Sequence, residues 1–129
     1  MAGGTNSRTE ARFVVLRHVD RLGVHFDLMI DVGDGLATWK MSAPPEAANK
    51  VGIICRRIGD HRRAYLEYEG PISGDRGEVS RHDCGSCFCH EKTDDAWIVE
   101  FRGRLLMGWY KLERCRPDDQ DWLLRFVRR

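Results

Sequence analysis

Short runs of apolar and β-branched residues, separated by turn residues, recur along most of the chain. In residues 24–31 apolar and polar positions alternate as far as Leu28, and residues 13–18 begin with four apolar residues. Alternation with a period of two is typical of strands that bury one face. Similar runs occupy residues 36–41, 51–58, 64–69, 77–82, 97–101, 105–112 and 122–127. The pattern therefore predicts a mainly β protein.

Turn residues divide these runs and limit the helical content. Pro44 and Pro45 close the third run, and Gly103 lies between two later runs, where it indicates a hairpin turn. Residues 46–50 have room for one helical turn. About eight short strands with tight turns predict a small closed or nearly closed β-barrel with at most one short helix. We expect residues 13–129 to form this single domain and the polar residues 1–12 to form a flexible tail.

The composition places the chain among globular proteins of one domain. It has 129 residues, of which 42% are hydrophobic, and a formal net charge of only +1. The sequence contains no run of 18 apolar residues, so it predicts no membrane-spanning helix. Its first residues are polar and do not form the apolar segment of a signal peptide. The five cysteines are an odd number, and because the sequence predicts no export signal, we expect them to be reduced thiols. We therefore expect a cytoplasmic monomer without a membrane partner.

Arginine outnumbers lysine by 17 to 4, which favours contacts with phosphate, although the codon usage of a GC-rich genome gives the same bias. The four tryptophans lie in apolar runs, so we expect them to pack in the core. They are Trp39, Trp97, Trp109 and Trp122.

One predicted strand carries an imidazole and a carboxylate on the same face. Because residues i and i+2 of a strand share a face, His25, Asp27 and Met29 project together, and the intervening apolar residues point to the core. His18 ends the preceding strand, and a short connection returns the chain beside it. Two histidines and one carboxylate on neighbouring strands form a plausible divalent-metal site with open positions. The alternative is that the three are surface residues without a shared ligand.

Two further clusters carry reactive groups. Residues 60–65 combine an imidazole, two guanidiniums and the Tyr65 phenol, which suit a phosphate oxygen, or else form a solvated basic loop. Residues 83–90 contain one C-x-x-C pattern, whereas a structural zinc site normally needs two such half-sites, and Cys55 and Cys115 are the candidates for a fourth ligand. We therefore expect a loop with free thiols rather than zinc at the residues Cys84, Cys87, Cys89 and His90.

Several short motifs follow one another in an order that resembles the 3′-phosphoesterase domain of bacterial DNA ligase D. The segments F-V-V-L-R-H (13–18), H-F-D-L (25–28), D-H-x-x-x-Y (60–65) and Y-E-G-P-I (68–72) are similar to the family's F-V-V-x-K-H, H-Y-D-F, E-D-H-P-x-x-Y and F-E-G-x-I-P. The later G-R-L-L-M-G-W-Y (103–110) and D-W-L-L (121–124) fit its closing strands. The resemblance covers residues 13–127.

The resemblance implies a manganese-dependent enzyme of DNA end-joining repair. Such domains remove a 3′-terminal ribonucleotide to leave a 3′-phosphate, and then remove that phosphate. His18, His25 and Asp27 would hold Mn²⁺, and His61 and Tyr65 would act as catalytic residues on the scissile phosphate. The expected partners are DNA or RNA–DNA 3′ ends and a separately encoded end-joining ligase or polymerase.

The chain departs from the family at the predicted metal-site face. Met29 stands where the family has an arginine, and Arg17, Arg62 or Arg76 would then bind phosphate instead. This departure leaves a second hypothesis open, a catalytically weakened nucleic-acid end-binding module of the same fold. A third hypothesis is a zinc-stabilised β domain with an unrelated role, built on residues 84–90.

Overall fold

A computed structural model describes residues 9–129, which fold into nine strands and two short 3₁₀ helices. The strands are β1 (Thr9–Asp20), β2 (Gly23–Asp31), β3 (Leu36–Met41), β4 (Ile53–His61), β5 (Gly70–Pro71), β6 (Glu78–Lys92), β7 (Ala96–Arg102), β8 (Met107–Arg114) and β9 (Asp121–Arg128). The 3₁₀ helices are Pro45–Asn49 and Arg63–Leu66. In this part of the chain no helix is long and apolar enough to cross a membrane.

The strands form one antiparallel sheet that closes on itself. Its order is β1-β2-β3-β4-β9-β8-β7-β6-β5, and β1 also pairs with β6. Eight strands therefore form a closed ring. The two-residue β5 pairs with the beginning of β6 and is not part of the ring. The prediction of a mainly β fold is confirmed.

The ring interior is filled with large apolar side chains from alternate strand positions. Trp39 lies at its centre and contacts Trp97 and Trp122 edge-to-face, with ring centroids 5.0 and 5.7 Å apart. These three tryptophans are core residues, as predicted. The prediction for Trp109 is wrong, because alternation along β8 places it half-buried on the outer face, where it stacks on His90.

A second, smaller apolar cluster lies on the outer face of the ring. Its buried members are Val14, Leu16, Met29, Leu36, Leu66 and Val79. Residues 62–77, which connect β4 to β6 and which we call the covering segment, supply Leu66 and the partly buried Tyr65 and Ile72. The covering segment therefore packs against the outside of β1 and β2.

The covering segment also corrects one predicted strand. Residues 64–69 alternate in polarity, but their first three residues belong to the 3₁₀ helix Arg63–Leu66, so residues 9–129 contain two short helices instead of at most one. The segment lies outside the ring and bonds locally, from Tyr65 N–H to the Arg62 carbonyl and from Glu67 N–H to the Ala64 carbonyl, both at 3.1 Å. One tight turn is enough to insert Leu66 into the outer cluster.

Two strands are longer than predicted. The predicted loop at residues 83–90 belongs to the 15-residue strand β6, which pairs with β1 on one side and β7 on the other. Register shifts in both pairings break the period of two that marks a strand in sequence. Strand β1 begins at Thr9, so residues 9–12 belong to the sheet, and residues 1–8 of the predicted tail lie outside the described residues.

Candidate metal and phosphate site

The pairing of β1 with β2 brings together the three predicted metal ligands. His18 lies directly opposite His25, with ring centroids 4.5 Å apart. Asp27 follows two residues after His25 on the same outer face. Its Oδ1 is 3.4 Å from His25 Nε2, and its Oδ2 is 3.9 Å from His18 Nδ1. Strand alternation therefore places these groups as the sequence predicted.

The carboxylate of Asp27 is held in an unusual environment for a charged group. The residue is only 4% exposed, and its buried Oδ1 has no hydrogen-bond partner. A buried carboxylate oxygen without a partner is costly, whereas a cation bound beside it would compensate its charge. The donor set of two nitrogens and one oxygen therefore fits a divalent ion.

The orientation of His18 also fits a metal ligand. Its Nε2 lies 2.7 Å from the carbonyl oxygen of Arg76, to which a ring N–H donates. In the neutral ring this leaves the lone pair on Nδ1, the nitrogen near Asp27, and such second-shell bonds are typical of metal-binding histidines. Gly77 allows this close approach, because a Cβ there would lie 1.9 Å from the Val19 carbonyl oxygen.

Asp20 is a site residue that the sequence reasoning missed. Single ligand atoms of His18, Asp20 and His25 all lie within 4.8 Å of one another, and this group does not include Asp27, whose two oxygens lie 3.9 and 3.4 Å from the two imidazoles. An oxygen of Asp20 accepts the Leu22 N–H at 2.8 Å, and this hydrogen bond is the main cause that lowers the pKa of the Asp20 carboxyl. The available signal was its position two residues after His18, but the predicted strand ended at His18.

These groups line an open cleft of about 370 Å³ between the ring and the covering segment. His61, one of the two predicted catalytic residues, lines the same cleft, as does Lys40, the cross-strand neighbour of Asp27. His61 Nδ1 lies 3.1 Å from the Gly59 carbonyl oxygen, so in the neutral ring Nε2 is the nitrogen that can accept a proton. The cleft thus combines carboxylates, imidazoles and cations.

The other predicted residues are distributed between two grooves. Arg76 lines the cleft, and its guanidinium donates to the carbonyl and hydroxyl oxygens of Ser73 at 2.7 and 3.2 Å. Tyr65 contacts His61 edge-to-face at 5.8 Å but lines an adjacent groove of about 240 Å³ together with Arg62.

Two predicted features of this face are corrected by the strand geometry. The structure does not bring Arg17 to the cleft, because alternation along β1 directs it to the opposite face from His18. Met29 shares the face of Asp27 as predicted, but it is only 2% exposed in the outer apolar cluster. The position at which the family that the sequence resembles has an arginine is therefore part of the outer apolar cluster in this protein.

The cysteine segment, where we expect free thiols rather than zinc, does not bring its four potential ligands to one point. Cys84 is exposed, whereas Cys87 is fully buried in the ring interior and Cys89 packs against it. The hydrogen bond between the Cys87 and Cys89 thiols raises the pKa of Cys87 and lowers that of Cys89. His90 instead bonds Glu100 at 3.1 Å and stacks on an indole.

The two cysteines considered as a fourth zinc ligand are also apart from this segment. Cys55 is buried in the ring interior, where desolvation raises the pKa of its thiol to about 12. Cys115 is exposed, beyond the end of β8.

In comparisons with known proteins, no family model and no curated protein matches this chain. The function is therefore inferred from the cleft and from the motifs in the sequence.

Proposed function

We propose that this protein is a divalent-metal-dependent phosphoesterase that acts on the 3′ ends of nucleic acids. The observation that carries the proposal is the buried Oδ1 of Asp27, which has no hydrogen-bond partner and lies beside His18 and His25 in a cleft shared with His61 and Arg76. The order of the sequence motifs supports the substrate class. The donor set supports the metal dependence.

His18, His25 and Asp27 would hold Mn²⁺, which accepts both imidazole and carboxylate ligands. When bound, such an ion neutralises phosphate oxygens and lowers the pKa of water. The hydrogen bond from the His18 ring to the Arg76 carbonyl orients this histidine and also connects the covering segment to the site.

The remaining side chains have separate roles on the phosphate. Lys40 and Arg76 supply positive charge at the cleft and bind the phosphate oxygens. His61, oriented by the Gly59 carbonyl, would take up a proton from solvent at Nε2 and donate that proton to the leaving oxygen. Tyr65 positions His61 through its ring contact, and the groove that it forms with Arg62 accommodates the neighbouring nucleotide.

The cleaned 3′-hydroxyl is the end that a polymerase extends and a ligase seals. The proposed enzyme would therefore act together with a separately encoded end-joining ligase or polymerase. We propose that it does so in the cytoplasm. DNA ends and RNA–DNA ends are both substrates of the proposed reaction.

The test is a 3′-end processing assay on two primer-templates, one with a 3′-phosphate and one with a single 3′-ribonucleotide. Wild-type protein with Mn²⁺ is expected to convert both, and a chelator is expected to stop the reaction. His25→Ala should lose the activity. His90→Ala is the matched control and should keep it, because His90 lies on β6 against Trp109, outside the cleft.

One observation favours the second candidate, an end-binding module without turnover. The buried Met29 leaves no guanidinium at that position of the face. Such a module would bind 3′ ends with an affinity that falls as salt rises. Folded protein that binds Mn²⁺ and 3′ ends but forms no product would contradict the hydrolase and support this module.

A further inference from the structure

We infer that Asp20 is a fourth ligand of the divalent cation, which makes the site a centre of two histidines and two carboxylates. The inference extends the metal site of the proposed function but does not depend on hydrolysis. It starts from the clustering of ligand atoms of His18, Asp20 and His25 within 4.8 Å.

The β1–β2 turn holds the Asp20 carboxylate in place. Asp20 pairs with Gly23 across a two-residue connection, and Gly23 has a φ of 127°, which other residues rarely adopt. One carboxylate oxygen accepts the Leu22 N–H at 2.8 Å. This leaves the second oxygen for a cation, with the side chain already oriented.

Asp27 supplies an independent observation that points to a cation. Its Oδ1 is buried and has no hydrogen-bond partner, and it lies 3.4 Å from the same His25 ring that belongs to the Asp20 cluster. The hydrogen bond from Leu22 gives one oxygen of Asp20 a partner, but it does not explain why two carboxylates and two imidazoles share one cleft. A bound divalent cation explains the shared cleft and also the buried Asp27 oxygen that has no hydrogen bond.

A second carboxylate changes the chemistry of the site. Two carboxylates neutralise the charge of a divalent ion, and added oxygen ligands favour Mn²⁺ or Mg²⁺ over softer ions. Two histidines and a single carboxylate instead form a set that suits tetrahedral zinc. Asp20 therefore sets the metal preference as well as the affinity.

The experiment measures Mn²⁺ binding to the full chain without nucleic acid, from the paramagnetic resonance signal of free Mn²⁺. Asp20→Asn removes the charge but keeps an acceptor for the Leu22 N–H, so the turn is preserved. Asp75→Asn is the matched control, since Asp75 lines the same cleft outside the ligand cluster. We expect Asp20→Asn to raise the Mn²⁺ Kd about tenfold or more, and Asp75→Asn to raise it less than about twofold.

Competition with Zn²⁺ gives a second measurement. The preference for Mn²⁺ over Zn²⁺ should fall in Asp20→Asn and stay unchanged in Asp75→Asn. An unchanged Mn²⁺ Kd in Asp20→Asn would overturn the inference. Equal weakening by both variants would also overturn it, because that result indicates a general charge effect.

The outcome is separable from that of the proposed function. Wild-type protein that binds Mn²⁺ through Asp20 but releases no phosphate from 3′ ends would support this inference and contradict the phosphoesterase. Thermal unfolding of the metal-free proteins checks the fold, and we expect Asp20→Asn and wild type to unfold at the same temperature.

Discussion

The inside and the outside of the ring are built from the same strands, but only the outside combines an apolar cluster with a cleft of polar and charged side chains. Inside, alternate strand residues such as Phe26 and Leu28 pack into a continuous apolar core. Outside, the intervening His25 and Asp27 face a cleft beneath the covering segment. One strand, β2, therefore contributes to stability with one face and to the candidate chemistry with the other.

The difference indicates that stability and activity can be changed separately. The interior is held by regular antiparallel pairing around fully buried side chains. The outer site depends on a covering segment whose buried anchor is Leu66. Variants of the interior should unfold the protein, whereas variants of the outer face should disable a folded protein.

The largest effect is expected from Trp122→Ala in the interior. Removing this fully buried indole leaves a cavity beside Trp39 and should lower the free energy of unfolding by about 4 kcal/mol. Ile54→Ala, at a side chain that is 57% exposed on β4, should change it by less than about 0.5 kcal/mol. Denaturant unfolding of both variants measures the contrast, and equal losses would contradict it.

Met29→Arg tests whether a guanidinium at this position, as in the family that the sequence resembles, can be accommodated on the outer face. Because Met29 is buried among apolar side chains, the new charge should lower the free energy of unfolding by about 3 kcal/mol without raising phosphate release. Met29→Leu is the control and should cost less than about 1.5 kcal/mol. A stable Met29→Arg protein with faster turnover would show that the position belongs to the site.

Leu66→Ala and Leu124→Ala make the same chemical change on the two sides of the ring. Leu66→Ala should cost about 2 kcal/mol, and Leu124→Ala about 3 kcal/mol, because the outer cluster can relax more easily. Activity should respond in the opposite order. For the proposed hydrolysis, loosening the covering segment should lower phosphate release about tenfold, because the groups proposed to act on phosphate would be misplaced, while folded Leu124→Ala should keep it.

The smallest effect is expected at the ion pair that ties the covering segment to β2. Arg63 donates to both carboxylate oxygens of Asp31, at 3.1 and 2.8 Å, and these bonds are the main cause that lowers the pKa of Asp31. The pair therefore stabilises the fold above the ordinary aspartate pKa of 3.8, and this contribution is lost as the pH falls through the lowered value.

Arg63→Gln should thus lower Tm by roughly 2 °C at pH 7, since the guanidinium is largely exposed to solvent. The difference from wild type should shrink below pH 3.8 and disappear once Asp31 is protonated. Thermal unfolding across this pH range checks the sign. A difference that persists at the lowest pH would assign the effect to packing instead of charge.

Much of the fold and part of the site could be predicted from sequence, because the alternation of faces along a strand depends only on neighbouring residues. It correctly assigned the two faces of β2, and with them His25 and Asp27. It failed where long-range pairing decides the conformation. Strand β6 is bulged and reads as a loop, and residues 64–69 alternate but have no place in the ring.

The errors of prediction at the site have physical explanations of the same kind. Asp20 lies at the end of a strand whose length depends on its partners, so its shared face with His18 was hidden. Met29 is on the predicted face, but only the packing of the covering segment shows that this part of the face is apolar. The prediction for Arg17 depends only on its residue type, whereas strand alternation directs its side chain to the opposite face from His18.

The most direct measurement is the anomalous diffraction of a crystal soaked with Mn²⁺, recorded at the manganese edge. We expect one strong peak in the cleft, bound by His18, His25, Asp27 and Asp20. The same soak of His25→Ala should lose that peak and keep the fold. A wild-type map with no peak in the cleft, or with its only peak among the cysteines of β6, would contradict the proposed metal site.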